Sequence, residues 1–219
     1  MIKDNIDFHN VEEFVYNPKT HGYKLSRVPG NIREKLNEKA QGMAYNTCGV
    51  ELRFFMESEE VKLKFSRHIG GDNILNHGIV TVYQGDIQTS YELSNQIISL
   101  SESEITLKKK YLFKNGLQKI SQSFNPELIR VILPYDWAHE YLGVEGLVRL
   151  PSKADYPPDS FIAYGSSITH GGSATLSSNS YVFKLSQKLK KDYYNLGFAG
   201  SCQLDKEIAE FLRDKNGIF

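Results

Sequence analysis

The chain is poor in cysteine: of 219 residues only Cys48 and Cys202 carry thiols, far apart and without Cys-x-x-Cys spacing. That excludes a disulfide framework and a thiolate metal site. It also lacks an excess of charge, with 26 Lys+Arg against 26 Asp+Glu. Nucleic-acid binders usually carry a basic surplus, so no nucleic-acid partner is expected. Lys108 to Lys110 and the lysines between Lys184 and Lys191 read as solvated faces. Long apolar runs are missing too. Nothing approaches the ~20 residues that span a bilayer, and MIKDNIDFHN has no signal-peptide core. No membrane partner is expected and a cytoplasmic location is the default, although a mature secreted chain would look the same. His9, His21, His68 and His77 form no i,i+4 pair and have no carboxylate at ligand spacing, so neither a metal nor another cofactor is expected.

Aromatic residues are plentiful, with 13 Tyr and 12 Phe, and flat rings suit pleated surfaces. Up to about Leu150 the segments alternate as half-buried strands do: VELRFFM (50–56), VKLKFS (61–66) and GIVTVYQG (78–85), followed by LIRVILP (128–134) and YLGVEGLVRL (141–150). Asn31 to Lys39 is the one short helix predicted there. Many short strands separated by turn residues imply an antiparallel β-sandwich or jelly roll.

PSKADYPPD (151–159) holds three prolines and reads as a connector. The grammar then changes. FIAY (161–164) is a short apolar strand of the kind buried on both faces. Next comes a helix opening at Ser180, with Tyr181, Phe183, Leu185 and Leu189 near helical spacing. DYYNLGFAG is strand then turn, and LDKEIAEFLRD a second helix starting near Asp205. This β-α-β-α order implies parallel strands with a right-handed crossover.

Between strand and helix lies GSSITHGG. In open α/β sheets reactive groups collect beyond the carboxyl ends of strands, where Ser167 falls. Gly165 permits a tight turn, and the following helical segment offers free backbone N–H groups to an oxyanion. The pattern is neither the G-x-S-x-G elbow nor a phosphate loop. By itself it is compatible with an ordinary loop in which Ser167 caps Thr169 or His170. Two separated blocks, however, resemble those of the SGNH (GDSL-type) esterases and acyltransferases. Gly165, Ser167, Ile168, Thr169 and Gly171 match the first block, G-D-S-[LI]-[ST]-x-G, with Ser166 in place of its Asp. YNLGFAGS resembles the second, N-x-G-x-x-G. The variant YGSSIT, GVELRFF and ELIRVILP are similar to a branch with an N-terminal β-sandwich.

The resemblance implies a jelly-roll-like domain over residues 1–154 and a partial flavodoxin-like SGNH domain over 155–219. It implies hydrolysis of small acyl esters, often those of carbohydrates, without a cofactor. Ser167 would be the nucleophile and Gly200 an oxyanion donor, with Ser166, Thr169 and His170 lining the substrate site. The family's base, a His in Asp-x-x-His, and its third-block Asn have no match after Gly200. The chain is therefore expected to be the N-terminal portion of a longer esterase, inactive alone. Its short sheet is expected to lean on the sandwich or on another copy. Asp136-Trp137-Ala138-His139 is the one Asp-x-x-His present; it precedes the serine, so His139 with Asp136 is only an alternative base. Cys202, Tyr164 and Phe198 read as packing residues. Two further readings stay open: acyl transfer to a hydroxyl acceptor, and a non-catalytic sandwich that binds a glycan or another partner.

Overall fold

The alternating segments assemble into two antiparallel sheets in the computed structural model, which describes residues 1–76, 78–114 and 123–215. His77 lies outside the described residues. In chain order the elements begin with β1 (Ile2–Lys3), β2 (Ile6–His9), β3 (Glu13–Asn17), β4 (Gly22–Ser26), α1 (Gly30–Arg33) and α2 (Glu38–Met43). They continue with β5 (Glu51–Met56), β6 (Glu60–His68), β7 (Gly78–Gln84), β8 (Ile87–Gln88), β9 (Gln96–Ile98) and β10 (Ser103–Lys108). β11 (Ile129–Ile132), β12 (Ala138–Glu145) and β13 (Val148–Arg149) complete the two sheets. One sheet runs β1-β2-β5-β11-β7-β8, with β13 on β5 and β9 on β7; the other runs β10-β6-β12-β4-β3. One apolar cluster takes Phe8, Leu52, Phe54, Val82 and Val131 from the first sheet and Leu25, Leu63, Phe65, Ile105 and Tyr141 from the second. The side-chain alternation of each strand thus feeds a shared core.

Two details depart from the sequence reading. The single helix expected over 31–39 is two short ones, because Asn37 is extended and accepts the Ala40 N–H as the N-cap of α2. Strand β5 is buried on both faces rather than one. Its outer residues Glu51 and Arg53 are covered by the C-terminal part of the chain.

That part is β14 (Ser160–Gly165), α3 (Ser167–His170), α4 (Tyr181–Leu189), β15 (Asp192–Gly197) and α5 (Lys206–Asp214). The Ser180 hydroxyl caps α4 by accepting the Phe183 N–H. β14 and β15 pair in parallel, from Ser160 beside Asp192 to Gly165 beside Gly197. One face of the pair, with Ile162, Tyr164 and Leu196, packs on Phe198, on Ile208, Phe211 and Leu212 of α5, and on Val28, Leu36, Ala40 and Met43. The other, with Phe161, Ala163 and Tyr193, packs on Val182 and Phe183 of α4 and on Tyr83 and Ile132 of the first sheet. β14 was expected to be fully buried, yet every one of its residues is half-buried. Among the described residues it pairs with β15 alone, so its second edge is uncovered.

The pair leans on the sandwich through buried charge. Arg53 donates to both carboxylate oxygens of Asp192, at 2.6 and 2.7 Å, and through Nε to Glu51. Arg130 donates to both oxygens of Glu51 at 2.8 Å. Burial pushes both carboxyls up, but the arginines outweigh it. Glu51 is lowered to about 2, chiefly by Arg130 and then Arg53, and Asp192 is held well below the usual carboxylate range, chiefly by Arg53.

Candidate active site

The serine turn follows from the register of the parallel pair. β14 and β15 end side by side at Gly165 and Gly197, and neighbouring strands lie about 4.8 Å apart. Ser167 is two residues beyond one end and Gly200 three beyond the other, so both emerge at the carboxyl edge of the sheet. Ser167 opens α3 as its first residue, and its side chain is exposed. Its hydroxyl makes no hydrogen bond among the described residues and caps neither Thr169 nor His170. Ser166 is the N-cap residue, without a side-chain cap bond, and is also exposed. As an opening residue, Ser167 has a backbone N–H with no intrahelical acceptor. Gly200 is exposed at φ +62°, and its N–H has no acceptor among the described residues. Two free amides and a free hydroxyl thus come off adjacent strand ends.

The turn is held by close backbone approach. A Cβ on Gly197 would lie 2.1 Å from the His170 nitrogen, so only glycine lets α3 settle on the end of β15. Asn195 ties the same joint. Its Nδ2 donates to the Thr169 carbonyl at 2.8 Å, and its Oδ1 accepts the Gly197 N–H at 2.9 Å. Tyr164 and Phe198 meet edge to face at 6.3 Å, packing between sheet and helix as expected.

Thr169 and His170 do not line an open cleft as the sequence suggested. Both are buried. Thr169 seats against Gly165 and its hydroxyl pairs with the Tyr181 hydroxyl at 3.0 Å. His170 sits edge-on to Tyr135, with Nδ1 3.2 Å from the Gly197 carbonyl and Nε2 unpartnered. The docking of α3 onto Gly197 turns both side chains inward.

The Asp-x-x-His of the sandwich does not form a dyad. His139 is fully buried on β12, its Nδ1 paired with the Thr47 hydroxyl at 2.7 Å. Asp136 instead accepts the Leu75 N–H. Trp137 between them, at φ +68°, donates its indole N–H to the Leu75 carbonyl and stacks on Arg67, which fixes the loop as packing structure. Neither His139 nor His170 touches the Ser167 hydroxyl. Among the described residues, none supplies a base to it. Nor does any group of three or more His, Cys, Asp or Glu there have metal-site geometry.

Burial keeps these imidazoles neutral. It lowers His139 to about 3, aided by Arg67 and His68, and His170 to about 3, aided by Arg27; His9 is lowered as well, by burial and then Arg53. The unfolded chain takes up protons on His139 and His170 below about pH 6.5, whereas the folded chain resists until near pH 3. Their contribution is therefore intact above about pH 6.5 and is eroded as pH falls toward 3, by up to about 1.4 kcal/mol per pH unit for each histidine. Thermal unfolding should show a falling midpoint from about pH 7 to pH 5, where the lowered carboxyls of Glu51 and Asp192 are still ionised. A flat profile there would contradict neutral burial.

Several residues at this site carry no sequence signal. Asn10 donates to the Asn195 carbonyl, Asn37 to the Ser201 carbonyl, and Lys39 comes close to Gly200. Arg27 reaches the carbonyls of Asn195 and Gly197. All four lie more than 150 positions from their partners, so no local pattern marks them.

Residues 159–218 match the model of the GDSL-like Lipase/Acylhydrolase family. The salicylyl-acyltransferase SsfX3 from a tetracycline biosynthetic pathway shares the fold with a TM-score of 0.74 and 14% identity, over 96% of this chain and 56% of its own. A candidate GDSL-like lipase from Bacteroides ovatus does so with a TM-score of 0.58 and 18% identity, over 95% of this chain and 60% of its own. The chain thus spans little more than half the length of either. No curated protein matches it. The family match thus covers the C-terminal segment, and the whole chain has a fold that is mostly β-sheet with few helices. Among the described residues no helix is long and apolar enough to cross a membrane.

Proposed function

We propose that Ser167 is the nucleophile of an SGNH-type ester hydrolase acting on small acyl esters, with acetyl esters and esters of carbohydrates among the substrates to test. The carrying observation is the exposed Ser167 hydroxyl, without a hydrogen-bond partner among the described residues, at the paired ends of β14 and β15 from which the Ser167 and Gly200 amides also emerge. In this reading Ser167 Oγ bonds to the ester carbonyl carbon while a base outside the described residues takes its proton. The carbonyl electron pair moves onto oxygen, and the N–H groups of Ser167 and Gly200 donate hydrogen bonds to that oxyanion. Collapse expels the alcohol, which receives the proton, and leaves an acyl group on Ser167. Water then releases the acid. Residues 1–154 form the jelly-roll-like domain of this reading and 155–219 the partial flavodoxin-like domain.

The assay belongs in the protein expressed from its full reading frame. Rapid quenching during turnover of an aryl acetate should leave an acetyl increment on the peptide carrying Ser167. An increment on a different residue would remove Ser167 from the role. Competing alcohol acceptors then separate hydrolysis from acyl transfer, since both pass through the same acyl-enzyme.

A further inference from the structure

Arg27 follows β4 and is fully buried, yet it has no carboxylate partner among the described residues. All of its described hydrogen bonds go to backbone carbonyls. Nε donates to Asn46 at 2.6 Å, Nη1 to Asn195 at 3.0 Å, and Nη2 to Met43 at 2.6 Å and Gly197 at 3.0 Å. Its guanidinium also packs on the Phe198 ring, 5.0 Å from the centroid. A buried cation without a counter-ion is costly, and a neutral side chain would avoid that cost. What the fork does achieve is geometric. It grips the last carbonyls of β15, one of which also meets His170 Nδ1, and it ties them to the 43–46 backbone of the sandwich.

We infer that Arg27 is a positioning residue for the oxyanion site, through which the sandwich sets the backbone that leads from Gly197 to Gly200. The inference rests on the nucleophile reading above. Two residues, Phe198 and Ala199, separate the gripped Gly197 carbonyl from the Gly200 amide, and Phe198 is clamped by the same guanidinium. The uncompensated positive charge lies beneath the sheet edge where negative charge develops on the carbonyl oxygen, in surroundings of low dielectric. The planar fork matters as well as the charge, because lysine cannot reach four carbonyls in three directions.

The test is steady-state kinetics of Arg27→Met and Arg27→Lys in the protein from the full reading frame, with circular dichroism as the check on folding. Displacing a donor by about an ångström costs on the order of a hundredfold. We expect kcat to fall about a hundredfold in Arg27→Met and about tenfold in Arg27→Lys, with KM within about twofold in both. A folded variant of either kind with unchanged kcat overturns the inference, as does failure of both to fold, which would make Arg27 a purely structural tie. Ser167→Ala run in parallel keeps the two readings apart. If it retains turnover, the nucleophile reading fails; if it is dead while folded Arg27 variants are fully active, only the Arg27 inference fails.

Discussion

Replacing Ser167 by alanine is expected to lower ester turnover by about a thousandfold or more in the full-reading-frame protein, with the fold intact. The size follows from the chemistry: without Oγ no acyl-enzyme forms, and the two amides can assist only direct attack by water. The fold should survive because the hydroxyl is exposed and makes no hydrogen bond among the described residues, so its removal leaves no buried polar group behind. Turnover and thermal stability measured together make the prediction sharp. Full activity would refute it, and a large stability loss would show that the hydroxyl has a structural partner.

The second large effect is on stability. Asp192→Ala should destabilise the chain by about 3–5 kcal/mol, because it leaves Arg53 buried with only Glu51, which Arg130 already engages on both oxygens. For a domain of this size that corresponds to roughly 10 °C in the unfolding midpoint. Asp192 opens β15, so the loss should appear in the parallel strands and the sandwich together. Glu145→Ala, which removes an exposed pair with Lys64, serves as the control and should barely register. A midpoint as high as that of the parent would mean the cluster contributes nothing net. Glu51 and Asp192 both titrate below their unfolded values, so their stabilisation is present above the usual carboxylate range; the Glu51 share fails as pH falls through about 2, and the Asp192 share is lost in the same direction.

Much of the architecture was readable because it is written locally. Alternation located β5, β6, β7, β11 and β12 to within a few residues, and a hydroxyl ahead of an apolar helical repeat located α4. The serine block and the glycine block are each contiguous, and their order around one helix requires that they meet on adjacent parallel strands. What could not be read was set by distant contacts. Glu51, Arg53 and Arg130 look like the solvent face of alternating strands; it is residues far along the chain, Asp192 on Arg53 and Phe183 on Arg130, that cover the arginines. Thr169 and His170 lie in a turn that looks open, and the missing side chain at Gly197 is what draws them inward. Asp136 and His139 have dyad spacing, but on β12 and its entry loop they turn to different partners.

Residues near position 10 wait for partners near position 195. His9 bonds to the Tyr193 carbonyl and Asn10 to the Asn195 carbonyl, across separations of 184 and 185 residues. At ribosomal rates of about 5–20 residues per second, roughly 10–40 s pass before those partners exist. During that interval β2 and β5 present Glu51, Arg53 and His9 with no cover, and a nascent sandwich must remain soluble with its charged face open. Synthesis thus favours polar residues there until β15 arrives to seal them, and closing so long a loop makes this seam a late step in folding.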